Sequence, residues 1–240
     1  MAIEKDSYYK YLEHKGQAGY RAAILVKEQS APLYSLLVAS ETVPSVFGTP
    51  DSFEFDLLNS PVKGKIAGKM SLDDKEVEVL HHRDNVYRFE KLKGKVLDFM
   101  VVDSNFVGYK FSGTISYRMN DASADVLRGT YTITPMSADP NPVLNARSLC
   151  QETLCFADVV PDTIPARTGS SATTIKLSVV QSDASASYSV VKIDADGTET
   201  SDTSAITGDV FTAPSTGGLF AITALASGYA PWTTTVFVEV

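Results

Sequence analysis

Cysteine, histidine and tryptophan are scarce in this chain of 240 residues. The two cysteines, Cys150 and Cys155, stand in a C-x4-C spacing. That spacing allows a small disulfide loop or half of a metal site. The other half is missing, since none of His14, His81 and His82 lies at a zinc-finger distance from the pair. The expectation is two buried or half-buried thiols in a reducing compartment, with no metal and no cofactor. Long apolar runs are also absent. The longest, residues 22–26 and 33–39, fall far short of the ~20 residues that span a bilayer, so no membrane insertion is expected. The start, Met1-Ala2-Ile3-Glu4-Lys5-Asp6, has no basic segment leading into an apolar core. The expectation is therefore assembly in a cytoplasm. Basic residues are outnumbered, 21 against 29 acidic, for a net charge of −8 and a pI near 4.9. Such a chain does not seek nucleic acid by electrostatics, although an acidic wall would let a polyanion slide past it.

Catalytic signatures are missing as well. There is no nucleophile elbow, Walker loop, dinucleotide fingerprint or H-E-x-x-H helix. Gly64-Lys65-Ile66-Ala67-Gly68-Lys69-Met70-Ser71 has the residue types of a phosphate loop but the wrong spacing. Asp73-Asp74 with Glu76 and Glu78 has the oxygens for calcium, yet alternate glutamates on a strand simply share a solvent face. His81-His82 with Asp84 has the types for acid–base work and is read as a histidine pair on a solvated turn. Asp194-Ala195-Asp196-Gly197 opens like a calcium loop without its downstream glutamate and reads as a β-turn. No enzyme is expected.

What is present is β-structure in two compositional parts. After residue 160 the only basic residues are Arg167, Lys176 and Lys192, and Ser, Thr and Ala are dense. The Pro161–Ser171 stretch, with two prolines and Gly-Ser-Ser, reads as a linker between a domain over 1–160 and another over 172–240. In the second part, alternation over 175–179, 188–193, 219–225 and 233–240, with turns between, predicts a small β-sandwich of six or seven short strands. Trp232 is expected to pack rather than to serve as a ligand platform.

The first part predicts strands with one helix. Asp84 or Asn85 is the candidate N-cap, Val86, Phe89 and Leu92 share a face, and Gly94 supplies the left-handed terminus. Residues 96–102 are too apolar for a half-exposed strand, so both faces must be covered. Val107, Tyr109, Phe111, Ile115 and Tyr117 alternate as a two-faced strand. Residues 40–61 combine prolines and glycine with Val43, Val46, Phe47, Phe53 and Phe55. Such an apolar loop either folds back on its own core or is a self-association arm. Leu57 and the aromatic N-terminal segment, Tyr8, Tyr9 and Tyr11, invite the same two readings.

The order of pieces from Gly48 to Pro135 carries a resemblance. Phe53-Glu54-Phe55 and Glu76-Val77-Glu78-Val79 alternate, and His82-Arg83-Asp84-Asn85 and Gly94 frame a helix. Phe111-Ser112-Gly113-Thr114 and Gly129-Thr130-Tyr131-Thr132-Ile133-Thr134-Pro135 close the series. This resembles the tail tube proteins of long-tailed bacteriophages. The resemblance implies a mainly β fold: a tail-tube β-sandwich with one flanking α-helix, followed by a small Ig-like β-sandwich domain that decorates the outside. It implies a virion structural protein whose rings, six-fold in the family, stack into a hollow tube for DNA. The implied partners are itself, the tape measure, tail terminator and distal tail proteins, DNA passing without specific binding, and a host surface touched by the second domain. A rival reading is a β-sandwich binding module that recognises a host-surface glycan or receptor.

Overall fold

The computed structural model describes residues 23–38, 43–48, 52–55, 64–67, 71–102, 106–120, 127–169, 171–181 and 183–240, with 52–55 and 64–67 described by backbone alone. The protein is mainly β, with a single α-helix among the described residues. It divides into two compact units. One comprises residues 20–81 and 89–149; the other takes 82–88 together with 150–240, and also 1–19.

The first unit is built on a six-stranded antiparallel sheet. Its strands are β1 (Ala23–Glu28), β2 (Ser35–Leu36), β5 (Lys75–Leu80), β6 (Leu97–Val102), β7 (Gly108–Met119) and β8 (Arg128–Ala138), in the order β2-β1-β6-β7-β8-β5. A separate hairpin joins β3 (Ser52–Phe55) to β4 (Gly64–Ala67). Alternation decides which residues face inward. Ile24, Val26, Val77, Val79, Leu97, Phe99, Phe111, Ile115, Tyr131 and Ile133 form one core, with Leu37, Val38, Val46 and Phe89.

Strand β6 is covered on both sides, as its apolar sequence requires. Leu97 and Phe99 enter the core, while Met100 and Val102 are buried on the opposite face. The cover there is the chain's own segment, tied down by a pair of backbone bonds between Gly108 and Val143 (2.9 and 2.7 Å). A Cβ at Gly108 would lie 2.8 Å from Met100 Sδ and 2.9 Å from the Ala146 methyl, so only glycine permits this approach.

The Phe111-Ser112-Gly113 step is a bulge. Ser112 pairs with Ser137 but Gly113 pairs with Pro135, leaving Met136 as the extra residue on β8. The bulge also accommodates a proline inside a sheet, where it cannot donate to the ladder. A Cβ at Gly113 would collide with the Thr134 carbonyl oxygen, a backbone atom locked in the ladder.

Helix α1 (Arg83–Leu92) begins differently from the expectation. The His82 carbonyl accepts the first helical bonds from Asn85 and Val86, and His82 Nδ1 accepts from the Asp84 N–H at 3.3 Å. His82 therefore fills the capping position, because the Asp84 carboxylate is engaged elsewhere. The other end matches: Gly94 adopts φ 75°.

The second unit is a two-sheet sandwich. One sheet holds β9 (Thr163–Pro165), β11 (Ser187–Ile193), β12 (Glu199–Ser201), β15 (Gly218–Leu225) and β16 (Trp232–Glu239), in the order β12-β11-β15-β16-β9. The other holds β10 (Thr174–Lys176), β13 (Ile206–Thr207) and β14 (Val210–Thr212), in the order β10-β14-β13. Phe211 from one sheet meets Phe220 from the other at 6.1 Å between ring centres, among Ile164, Val190, Ile222, Val236 and Val238.

Two domain expectations need correction. The expected linker at 161–171 contains β9, which pairs parallel to β16 and buries Ile164. Pro165 sits there because this strand lies at the sheet edge. The second unit also begins near Cys150 rather than after residue 160, since Leu154, Cys155 and Val160 are already buried and the stretch Cys150–Val240 groups together. The turn reading at 194–197 holds: Gly197 N–H bonds the Asp194 carbonyl at 2.9 Å, with Gly197 at φ 84°.

Gly113→Ala is expected to destabilise the protein by about 1–3 kcal/mol, through overpacking against fixed backbone. A thermal melt equal to that of the unsubstituted protein would show that the bulge tolerates a side chain.

Candidate assembly surface

The side of the β7–β8–β5 region turned away from the core is a field of hydroxyls. Thr114 stands opposite Thr134, and Ser116 opposite Thr132. Ser112 and Ser137 bond each other at 2.7 Å, and Thr130 donates to Asn120 Oδ1 at 2.8 Å. The charges among them balance. Arg118 reaches Glu76 at 3.3 Å and Arg128 reaches Glu78 at 3.4 Å. Glu76 and Glu78 thus share one solvent face, as their alternation predicts. Exposed pairs of this kind contribute little stability, but they leave the face without excess charge. The carboxylates of Glu76 and Glu78 on this face are matched by arginines.

The predicted self-assembly residues fall into three groups. Val46 is buried, and Val43 and Phe47 pack partly buried against the same core, with Phe47 edge-on to Tyr109 at 5.9 Å. These three fold back on their own unit, one of the two readings open for that loop. Phe53 and Phe55 lie on β3, opposite Ile66 and Gly64 of β4. Tyr8, Tyr9, Tyr11 and Leu57 lie outside the described residues.

The residues with chemical potential are used as fasteners. His81 Nδ1 meets the Tyr117 hydroxyl at 2.5 Å, in a ring stack that continues through Phe89 and Tyr131. Burial pushes the Tyr117 phenol up. Within the second unit, His82 Nε2 lies 2.9 Å from Asp162, and Arg83 donates to the Asp162 carbonyl at 3.2 Å. Asp84, buried, accepts from the Thr235 N–H and hydroxyl at 2.7 Å each, and from the Thr234 hydroxyl at 3.1 Å. The Arg88 guanidinium lies 3.4 Å from the centre of the Trp232 ring, which is buried as a packing residue. This cluster binds residues 82–88 to strand β16. Sequence spacing gave no sign of it, because the partners are some 150 positions apart.

The cysteines are free thiols. Burial raises Cys150 to about 11 and Cys155 to about 12, from an ordinary 9.0. Both are therefore protonated and unreactive at neutral pH. A shallow groove of about 340 Å³ on the first unit is lined by Lys27, Tyr34, Asp98, Lys110, Ser112 and Asp139. Its charges also balance, with Lys27 3.5 Å from Asp98. No group of three or more metal-ligating side chains occurs among the described residues, and no helix among them is long and apolar enough to cross a membrane.

No family model and no curated protein matches the chain. Among solved structures it is similar to a chain of the anti-feeding prophage baseplate, a six-fold symmetrised cryo-EM structure. The TM-score is 0.33 and the identity 12%, over 51% of this chain and 93% of that one. A likeness of that size leaves the functional reading to the geometry of this chain.

Asp84→Ala should cost about 2–3 kcal/mol by leaving buried donors on Thr234 and Thr235 without an acceptor, read as an earlier denaturation midpoint. An unchanged midpoint would mean that water replaces the carboxylate. The raised thiols favour the folded state's protonated form, so their contribution to stability is constant below pH 9 and falls between 9 and about 12, as only unfolded thiols ionise. Maleimide at neutral pH should label Cys155 only after denaturation; rapid labelling of the native protein would contradict its burial.

Proposed function

We propose that this chain is a structural subunit of a phage tail or tail-like particle, and specifically a tail tube protein. Its copies close into rings, six-fold by the resemblance, and the rings stack into a hollow tube for DNA. The observation that carries this reading is the six-stranded sheet. One of its faces is closed by the unit's own core, and the other presents hydroxyl rows across β7 and β8, with Glu76 and Glu78 of β5 paired to arginines.

Among the described residues the sheet ends on β2 and β5. Unpaired edges template uncontrolled strand pairing, and closure of neighbouring sheets into one barrel abolishes them. A hydroxyl wall without surplus cations suits passage, because phosphate binding draws on Lys and Arg that release counterions. The β3–β4 hairpin is a two-stranded sheet by itself. Such a ribbon is marginal in water and gains its stability by packing on another subunit. This supports Phe53, Phe55 and Leu57 as assembly residues. Tyr8, Tyr9 and Tyr11 are proposed as a second arm.

The C-terminal sandwich is proposed as an Ig-like decoration domain. Its order, a β10-β14-β13 sheet facing a sheet in which β12, β11, β15 and β16 adjoin in series, is that of the B-E-D and C′-C-F-G strands of such sandwiches. It would sit on the tube exterior, available to a host surface. The protein would act without catalysis or cofactor, beside tape measure, terminator and distal tail proteins, in a virion assembled in the host cytoplasm.

Negative-stain microscopy of full-length protein should show rings or tubes. Phe53→Asp with Phe55→Asp should abolish them while preserving the far-UV circular dichroism of the fold. Tubes formed by that double variant would exclude the hairpin from assembly. Glycan binding by a protein monomeric at every concentration would favour the binding-module reading instead.

A further inference from the structure

We infer that Phe106, Leu144 and Arg147 form a head-to-tail contact with the acidic Asp73–Asp74 corner of a second copy of this chain. The inference rests on the self-assembly reading above and names a contact that the apolar loop at 40–61 does not supply.

Phe106 is the starting point. Its φ is 63°, the left-handed region that bulky side chains avoid. Among the described residues it is the one non-glycine with positive φ. Burial does not repay the strain, since Phe106 is 44% exposed. Glycine or asparagine would adopt this backbone at lower cost. An aromatic side chain held at a cost in the open marks a site where it is needed.

The surroundings fit an anchor. Leu144 is 77% exposed. The Arg147 guanidinium lies 5.7 Å from the centre of the Phe106 ring. The patch is held rigidly: Ala146 N–H bonds the Phe106 carbonyl at 3.0 Å, and Gly108 and Val143 bond each other twice. A rigid aromatic beside an arginine is the composition of interface hot spots, and rigidity lowers the entropy lost on binding.

Charge selects the partner. No carboxylate among the described residues pairs with Arg147, on a chain whose net charge is −8. A two-fold contact through this patch would bring two Arg147 guanidiniums together. A heterologous contact avoids that and propagates into rings or filaments. On the same unit Asp73 and Asp74 are exposed, whereas the neighbouring Glu76 and Glu78 are paired with arginines. The two aspartates are the complement the patch calls for.

The test is sedimentation velocity of the full chain across a concentration series, with a thermal melt of each variant. Phe106→Asn and Leu144→Ser should leave the melting temperature unlowered and raise the concentration needed for association at least about tenfold. Arg147→Glu should weaken association, as should Asp73→Lys with Asp74→Lys. Mixing those two proteins should restore it, because each supplies the face the other has lost. Wild-type association that persists in Phe106→Asn, or reversed proteins that do not recover on mixing, would overturn this contact and leave the self-assembly reading standing. A wild-type chain that remains monomeric throughout would overturn both.

Discussion

Strand β6 buries apolar side chains on both of its faces, and the first unit is arranged around that constraint. Leu97 and Phe99 form the middle of one core. Met100 and Val102, on the other face, need a separate cover. The chain supplies it by laying residues 143–149 across the sheet. That crossing is close enough to require glycine at 108, and it is pinned by the paired bonds to Val143. Phe106, two residues before Gly108, accepts at its carbonyl from the Ala146 N–H of that segment, and it takes a conformation that exposes its ring. The segment that approaches Met100 thus also holds the backbone at Phe106.

The second unit solves a different problem with a charge. Residues 82–88 are held to β16 by a buried carboxylate that accepts from three neutral donors, and by an arginine stacked on tryptophan. Breaking one partner of such a cluster costs more than the intact cluster contributes, because the orphaned groups stay buried. His82, Asp84 and Trp232 are thus engaged in holding residues 82–88 and the second unit together.

Much of this was legible in the sequence where the signal was local. The alternation of Glu76–Leu80, the continuous apolar run at 97–102, the glycine at 94 and the aromatic spacing of 109–117 each specify an element through nearest neighbours along the chain. The strands that escaped are short or interrupted. β9 is hidden by flanking prolines, and β12 is exposed throughout and bears no apolar pattern. The cap falls at His82 rather than Asp84 because the Asp84 carboxylate is drawn to Thr235, a partner no local window contains. The Phe106 patch gave no sign at all, since its members come together only when residues 143–149 cross β6.

On the proposed function, this subunit's stable state is an assembly. The most direct measurement is cryo-electron microscopy of the purified full chain at rising concentration. Hollow particles are expected, with a repeating axial spacing and the hydroxyl face of β7 and β8 toward the central passage. Dispersed single subunits at every concentration, or an assembly with that face turned outward to solvent, would contradict it.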